Sequence, residues 1–154
     1  MALKGCYYVQ AAQGQLELVV KREPIAKVIA SPATDAAWRD KLALTQTALA
    51  FAHETLLLPD NGSYRQFVDL QRDHVVVNVF AAPEFSVSAK TWCYPFVGCL
   101  AYRGYFKQEA AERYAQRMRA QGLDAYTAKV PAYSTLGRLK DPVLNTMLSR
   151  SDAC

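Results

Sequence analysis

Trp92-Cys93-Tyr94-Pro95-Phe96-Val97-Gly98-Cys99-Leu100-Ala101-Tyr102-Arg103-Gly104-Tyr105-Phe106 opens a stretch, running on to Gly137, around which this chain is organised. Residues 97–105 predict a strand, with Gly98 and Gly104 marking a bend or a close backbone approach. A helix is predicted over 107–121. Ala110, Tyr114 and Met118 share a stripe with Ala111 and Ala115 beside it, while Arg113, Arg117 and Arg119 fall on the wet side. Glu109 and Glu112 sit near the positive end of the helix dipole, and Gly122 suits a C-terminal cap. Residues 124–130 predict a further strand. Strand, helix and strand read as a βαβ-like unit, with parallel pairing expected.

Downstream, Pro131-Ala132-Tyr133-Ser134-Thr135-Leu136-Gly137 is a loop rich in hydroxyls, and Asp141-Pro142 predicts the start of a last helix. Upstream, the β-branched run 75–82 predicts a strand buried on most of its surface, broken at Pro83, and 64–70 a weaker strand. Residues 33–58 predict the strongest helix, capped by Thr34 or Asp35, with Trp38, Leu42, Thr45, Leu49, Ala52 and Leu56 on its core face. Pro59-Asp60-Asn61-Gly62 ends it. A short helix is expected over 25–30. Another covers 7–21, with an apolar stripe at 8, 9, 12, 16, 19 and 20 and Gly14 tolerated within it. The fold is therefore read as α+β: N-terminal helices followed by a small mixed sheet, in a single domain over 1–154.

The totals narrow the function. A chain of 154 residues can bury a real core, and 51% hydrophobic with 21% charged residues marks a globular protein. The 18 basic residues are interleaved with 14 acidic ones for a net charge of +4, so no nucleic-acid face is expected. No apolar run reaches the roughly 18 residues of a membrane span. Cys93 and Cys99 close a small loop if oxidised and are two buried thiols if reduced; both readings stand. No cysteine spacing fits structural zinc.

Catalytic constellations are sparse. His53-Glu54-Thr55-Leu56-Leu57 begins like the zincin motif H-E-x-x-H, but Leu57 occupies the second ligand position and cannot bind a metal. His74 reads as a strand-end residue. No G-x-S-x-G elbow exposes Ser134, Cys99 lacks a histidine partner, and no glycine cluster cradles phosphate. The best polar groups are Arg103 with Tyr105, and Tyr133, Ser134 and Thr135. Arg103, between Tyr102 and Tyr105, is expected to point to the face opposite the tyrosines. It would hold a substrate carboxylate or, as the plainer reading, pair with a carboxylate of a neighbouring element.

Several blocks, in one order, resemble a bacterial family of predicted zinc aminopeptidases often made as lipoproteins. They are Gly5-Cys6-Tyr7-Tyr8, 10–16, Leu58-Pro59-Asp60-Asn61, Asn78-Val79-Phe80-Ala81-Ala82-Pro83-Glu84-Phe85-Ser86, the block from Cys93 to Phe106, and Ala132-Tyr133-Ser134-Thr135-Leu136-Gly137 followed by Asp141-Pro142-Val143-Leu144. The resemblance implies removal of N-terminal residues from peptides, with zinc as cofactor and a peptide as substrate. It implies that the loop 133–137 lies near the metal helix and lines the substrate cleft. Arg138, Leu139 and Lys140 depart from the family's usual aromatic pair and acidic residue. The family's H-E-x-x-H helix is absent, the chain ending Ser149-Arg150-Ser151-Asp152-Ala153-Cys154. No metal ligand can be carried over to any residue. The expectation is the N-terminal portion of such an enzyme, truncated before the zincin helix and inactive alone. The alternative is a non-catalytic peptide- or partner-binding envelope module of the same fold. The resemblance also implies a periplasmic or envelope location with a lipid on Cys6 after signal removal; a chain starting at Met1 as written would stay in the cytoplasm.

Overall fold

A computed structural model describes residues 3–94, 98–135 and 137–148, with side chains from Tyr7 onward. The fold is α+β, about 40% helix and 23% strand. It divides into two compact units, one of Met1–Gly14 and His74–Pro131, the other of Gln15–Asp73 and Ala132–Cys154.

The first unit is built on β3 (Val76–Pro83), whose valines are buried on alternating and adjacent positions, as a β-branched run with both faces covered requires. On one side β3 pairs antiparallel with β6 (Arg103–Tyr105), Asn78 lying opposite Gly104. On the other it pairs antiparallel with β7 (Leu123–Val130) along its whole length, from Val76 opposite Val130 to Pro83 opposite Leu123. Both neighbours run against β3, so β6 and β7 are parallel to each other, joined by α4 (Gln108–Arg119). The βαβ-like unit is thus split: β3 occupies the place where direct parallel pairing was expected. The reason is ladder length, since β7 finds eight partners on β3 and could find only three on β6.

α4 covers one face of this sheet. Ala111 and Ala115 are fully buried against Val77, Val79 and Tyr105, and Met118 packs with Ala81 and Trp92. The predicted stripe therefore faces the sheet, and Gly122 ends the helix at φ +76°. The strand predicted over 97–105 is broken. β5 (Gly98–Leu100) turns back on β4 (Trp92–Tyr94) as a two-stranded hairpin, and only β6 joins the main sheet. Cys93 stands directly opposite Cys99 and is disulfide-bonded to it, which ties β5 to β4. Val97 lies outside the described residues. Pro83 does not break β3 but closes it, at an exposed strand end where a missing N–H costs little.

α1 (Leu3–Val20) corrects the predicted stripe. Tyr8, Val9, Leu16, Val19 and Val20 are exposed, and burial falls instead on Gly14 and Leu18, with Tyr7, Gln10 and Ala11 half-buried. The cause is visible at Gly14, where a Cβ would stand 2.1 Å from Phe106 Cγ. The helix presents its smallest residue so that the Phe106 ring, just after β6, can approach. Gln10 Oε1 accepts from the Phe106 backbone N–H at 3.2 Å on the same face.

The second unit holds a sheet ordered β1 (Glu23–Pro24), β2 (Gln66–Val68), β8 (Val143–Leu144); β1 pairs antiparallel and β8 parallel to β2. α2 (Ile25–Ala30) and α3 (Ala36–Glu54) pack over it. Ile25, Leu42, Phe67, Val143 and Leu148 form the core, with Val28, Ile29 and Trp38 at its margin. Asp35, not Thr34, caps α3, its carboxylate accepting from Ala37 N at 2.9 Å; Thr34 donates to Val28 O instead. The core face of α3 is the predicted one as far as Ala52, but the helix ends at Glu54 and Leu56 is exposed beyond it. Pro142 does not open a helix. Val143 and Leu144 are buried in β8, and α5 (Asn145–Leu148) is a single turn, because the Asp141 side chain binds the preceding loop and not helix N–H groups.

Candidate functional site

Arg103 is held in the first unit by aromatic rings from three elements. Its guanidinium carbon lies 4.0 Å from the ring centre of Tyr7 on α1, 4.7 Å from that of Tyr114 on α4, and 5.8 Å from that of Tyr105 on β6. Each such contact with a ring face contributes about 0.5–2 kcal/mol, depending on desolvation. Tyr105 lies two positions along the strand and so shares the face of Arg103, which corrects the expectation that both tyrosines would point away. Arg103 forms no ion pair with any described carboxylate, so the plainer reading of this arginine does not hold among the described residues. Its Nη1 donates to Tyr114 Oη at 3.4 Å, and its buried Nε has no hydrogen-bond partner among the described residues.

A cavity of about 360 Å³ opens beside this group, lined by Tyr7, Tyr8, Lys90, Trp92, Tyr94, Arg103 and Tyr114, with Thr91 and Cys93 at its edge. Trp92 and Tyr94 reach it from β4, one residue apart, as alternation along a strand dictates. Trp92 Nε1 donates to Tyr114 Oη at 2.8 Å, so that oxygen accepts from two groups and its own proton is left to donate. Tyr94 Oη is buried beside Tyr7. Burial first, and then neighbouring Tyr7, push the Tyr94 hydroxyl well above the ordinary tyrosine range; burial does the same for Tyr105, with Arg103 opposing. Both stay neutral, as donors.

The second candidate group sits in the second unit. Asp141, 8% exposed, gathers the loop: Ser134 Oγ donates to Oδ2 at 3.1 Å, Thr135 N to Oδ2 at 3.0 Å and Thr135 Oγ1 to Oδ1 at 2.7 Å. Its own backbone N–H donates to Ser63 Oγ at 3.0 Å and its carbonyl accepts from Tyr64 N at 2.7 Å. Tyr133 Oη donates to Gln15 Oε1. Burial, helped by the Asp141 charge, pushes the Tyr133 hydroxyl up to about 12. The five candidates therefore fall into two groups in different units: Arg103 with Tyr105, and Tyr133 with Ser134 and Thr135. The hydroxyls of the second group are engaged by Asp141 and Gln15. The Cys6 side chain and Leu136 lie outside the described residues.

Sequence reasoning missed Tyr7, Lys90, Trp92, Tyr94 and Tyr114 as companions of Arg103. The available signal was Trp92 and Tyr94 at strand spacing ahead of a second tyrosine-rich strand. Tyr7 comes from the other end of the sequence and carries no local signal.

Zinc finds no cradle here. Among the described residues no three His, Cys, Asp or Glu side chains come together to hold a metal ion. His53 Nδ1 is 2.9 Å from the Leu58 carbonyl oxygen, and His74 is buried at the entry to β3, in the other unit. The described donor set does not fit the metal, and no step is derived through it.

A family model described as Putative aminopeptidase matches residues 6–153, nearly the whole chain. The chain belongs to this family. No match was found among curated proteins or among solved structures. Aminopeptidase-family membership thus rests on a match over nearly the whole chain. No helix among the described residues is long and apolar enough to cross a membrane.

Proposed function

We propose that this chain is the substrate-holding part of a zinc-dependent aminopeptidase and has no peptidase activity by itself. The observation that carries the reading is the conjunction of a family match over 6–153 with a sequence in which H-E-x-x-H does not occur. In zincins those histidines bind the metal and the glutamate activates its water. Without them, the polar groups of this chain can bind and orient a peptide but cannot generate the nucleophile. Surface composition supports the same reading. Leu56, Leu57 and Leu58 are exposed in succession, and Leu16, Val19 and Val20 of α1 are exposed as well, which suits a chain that works covered by a further segment.

A second reading, a non-catalytic peptide- or partner-binding module of the same fold, is favoured by one observation: the Arg103 cavity is complete within one unit. Hydrolysis of alanyl-, leucyl- and lysyl-p-nitroanilide separates the possibilities. The untagged chain with added zinc is expected to show no rate above the protein-free control. Adding in trans a segment carrying H-E-x-x-H from a relative is expected to create a chelator-sensitive rate. Chelator-sensitive turnover by the chain alone would overturn the proposal. A segment that binds the chain without creating a rate would leave the binding-module reading in its place.

A further inference from the structure

The cavity beside Arg103 has an unusual balance of charge and hydrogen-bonding capacity. Two cations, Arg103 and Lys90, line it, and no Asp or Glu does. Neither makes an ion pair among the described residues. The side chains that line it carry donors in excess of acceptors. Among the described residues Arg103 Nε is buried without a hydrogen-bond partner, and Tyr114 Oη already accepts twice and keeps a proton to give. Buried donors without acceptors are costly, and a partly buried cation without a counter-charge more so. A ligand that removes both costs must be an anion rich in acceptor oxygens.

We propose that this cavity is a carboxylate-binding pocket, with Arg103 as the planar donor, Lys90 as the second positive charge and the Tyr114 hydroxyl as an orienting donor. The Tyr7 and Tyr114 rings hold the guanidinium carbon 4.0 and 4.7 Å from their centres, and the planar guanidinium matches a planar acceptor such as a carboxylate. The aromatic walls of Tyr7, Tyr8 and Trp92 suit an organic body attached to it, and about 360 Å³ accommodates a molecule of dipeptide size. With the aminopeptidase reading, the natural carboxylate is the C-terminus of a short peptide or of a released amino acid. That choice of ligand rests on the reading; the pocket does not.

The test is binding to the full chain, followed by NMR at the Trp92 indole N–H, which donates to the hydroxyl of the cavity residue Tyr114. Alanyl-alanine, alanyl-alaninamide, propionate and inorganic phosphate are titrated separately. The pocket predicts saturable binding of alanyl-alanine and at least about tenfold weaker binding of its amide, since the charge-assisted bonds go with the carboxylate. Arg103→Met keeps the stacked aliphatic stem and should abolish saturation. Lys90→Gln, on a side chain outside the ring cluster, should weaken binding several-fold with the unfolding midpoint unchanged, and it carries the test if Arg103→Met fails to fold. Propionate binding while alanyl-alanine does not would uphold the pocket and count against the peptide reading. Equal affinity for the amide, tighter binding of phosphate than of either carboxylate, or no saturable shift with any of the four would overturn the proposal.

Discussion

Asp141 shows how one buried carboxylate can decide the shape of a loop. It accepts three hydrogen bonds from Ser134 and Thr135 and is anchored through its own backbone to Ser63 and Tyr64. Removing it leaves those donors without their acceptor, so Asp141→Ala is expected to cost roughly 2–4 kcal/mol by urea unfolding, while Asp141→Asn, which keeps the shape, costs less. Tyr133 gives a pH signature. Its folded value of about 12 lies above the ordinary 10.0, so the stability it contributes is complete below pH 10 and is lost as pH rises towards 12. Tyr133→Phe should make the alkaline loss of stability shallower. At the acid side, burial opposes the Glu17 carboxylate but is outweighed by its bonds to Arg72 and Lys21, at 3.0 Å each, and its pKa is held below 4.5. That contribution is present above pH 4.5 and lost on acidification, so Glu17→Gln should flatten the acid limb of the stability curve. At Gly14 two effects compete. Alanine would gain about 1 kcal/mol of helix propensity, but its Cβ would stand 2.1 Å from Phe106 Cγ, and such overpacking costs about 1–3 kcal/mol. Gly14→Ala is therefore expected to destabilise.

At the scale of elements, the hairpin of β4 and β5 is held by Cys93–Cys99, across a loop of six residues' separation. Loop closure of this size contributes roughly 2 kcal/mol, so Cys93→Ser with Cys99→Ser is expected to lower the unfolding free energy by about that amount, read against wild type with and without reductant. Because Trp92 and Tyr94 stand on this hairpin, the same change should weaken carboxylate binding. What could be read along the chain follows from these elements. α3 and α4 carry their apolar residues at helical spacing against their own sheets, and both faces were legible because local periodicity and tertiary burial agree. α1 was not, since a glycine that admits Phe106 outweighs a longer stripe of valine, leucine and tyrosine. The run 97–105 looked like one strand because nothing local says that its first half is tied back to Cys93. In the same way, the pairing of Val143 and Leu144 with β2 depends on a partner some 75 residues away, and no turn or cap signal encodes it. Of the candidate site, Arg103 and Tyr105 were legible on one strand, but the Tyr7 and Tyr114 rings that hold the guanidinium come from other elements and were not.

At the scale of the molecule, family membership and chemistry point to different segments. The match to the aminopeptidase family extends over 6–153, yet the described residues assemble donors for an anion and no ligands for a metal. The exposed leucines and valines of α1 and of 56–58 predict that the isolated chain binds a hydrophobic dye while still unfolding cooperatively, measured as dye fluorescence beside a thermal melt. The most direct test of this division of labour is a calorimetric titration of the untagged, oxidised chain with zinc at neutral pH. The account predicts no one-to-one site tighter than micromolar. A stoichiometric, submicromolar zinc site that disappears on replacing His53 or His74 would contradict it and return the metal to this chain.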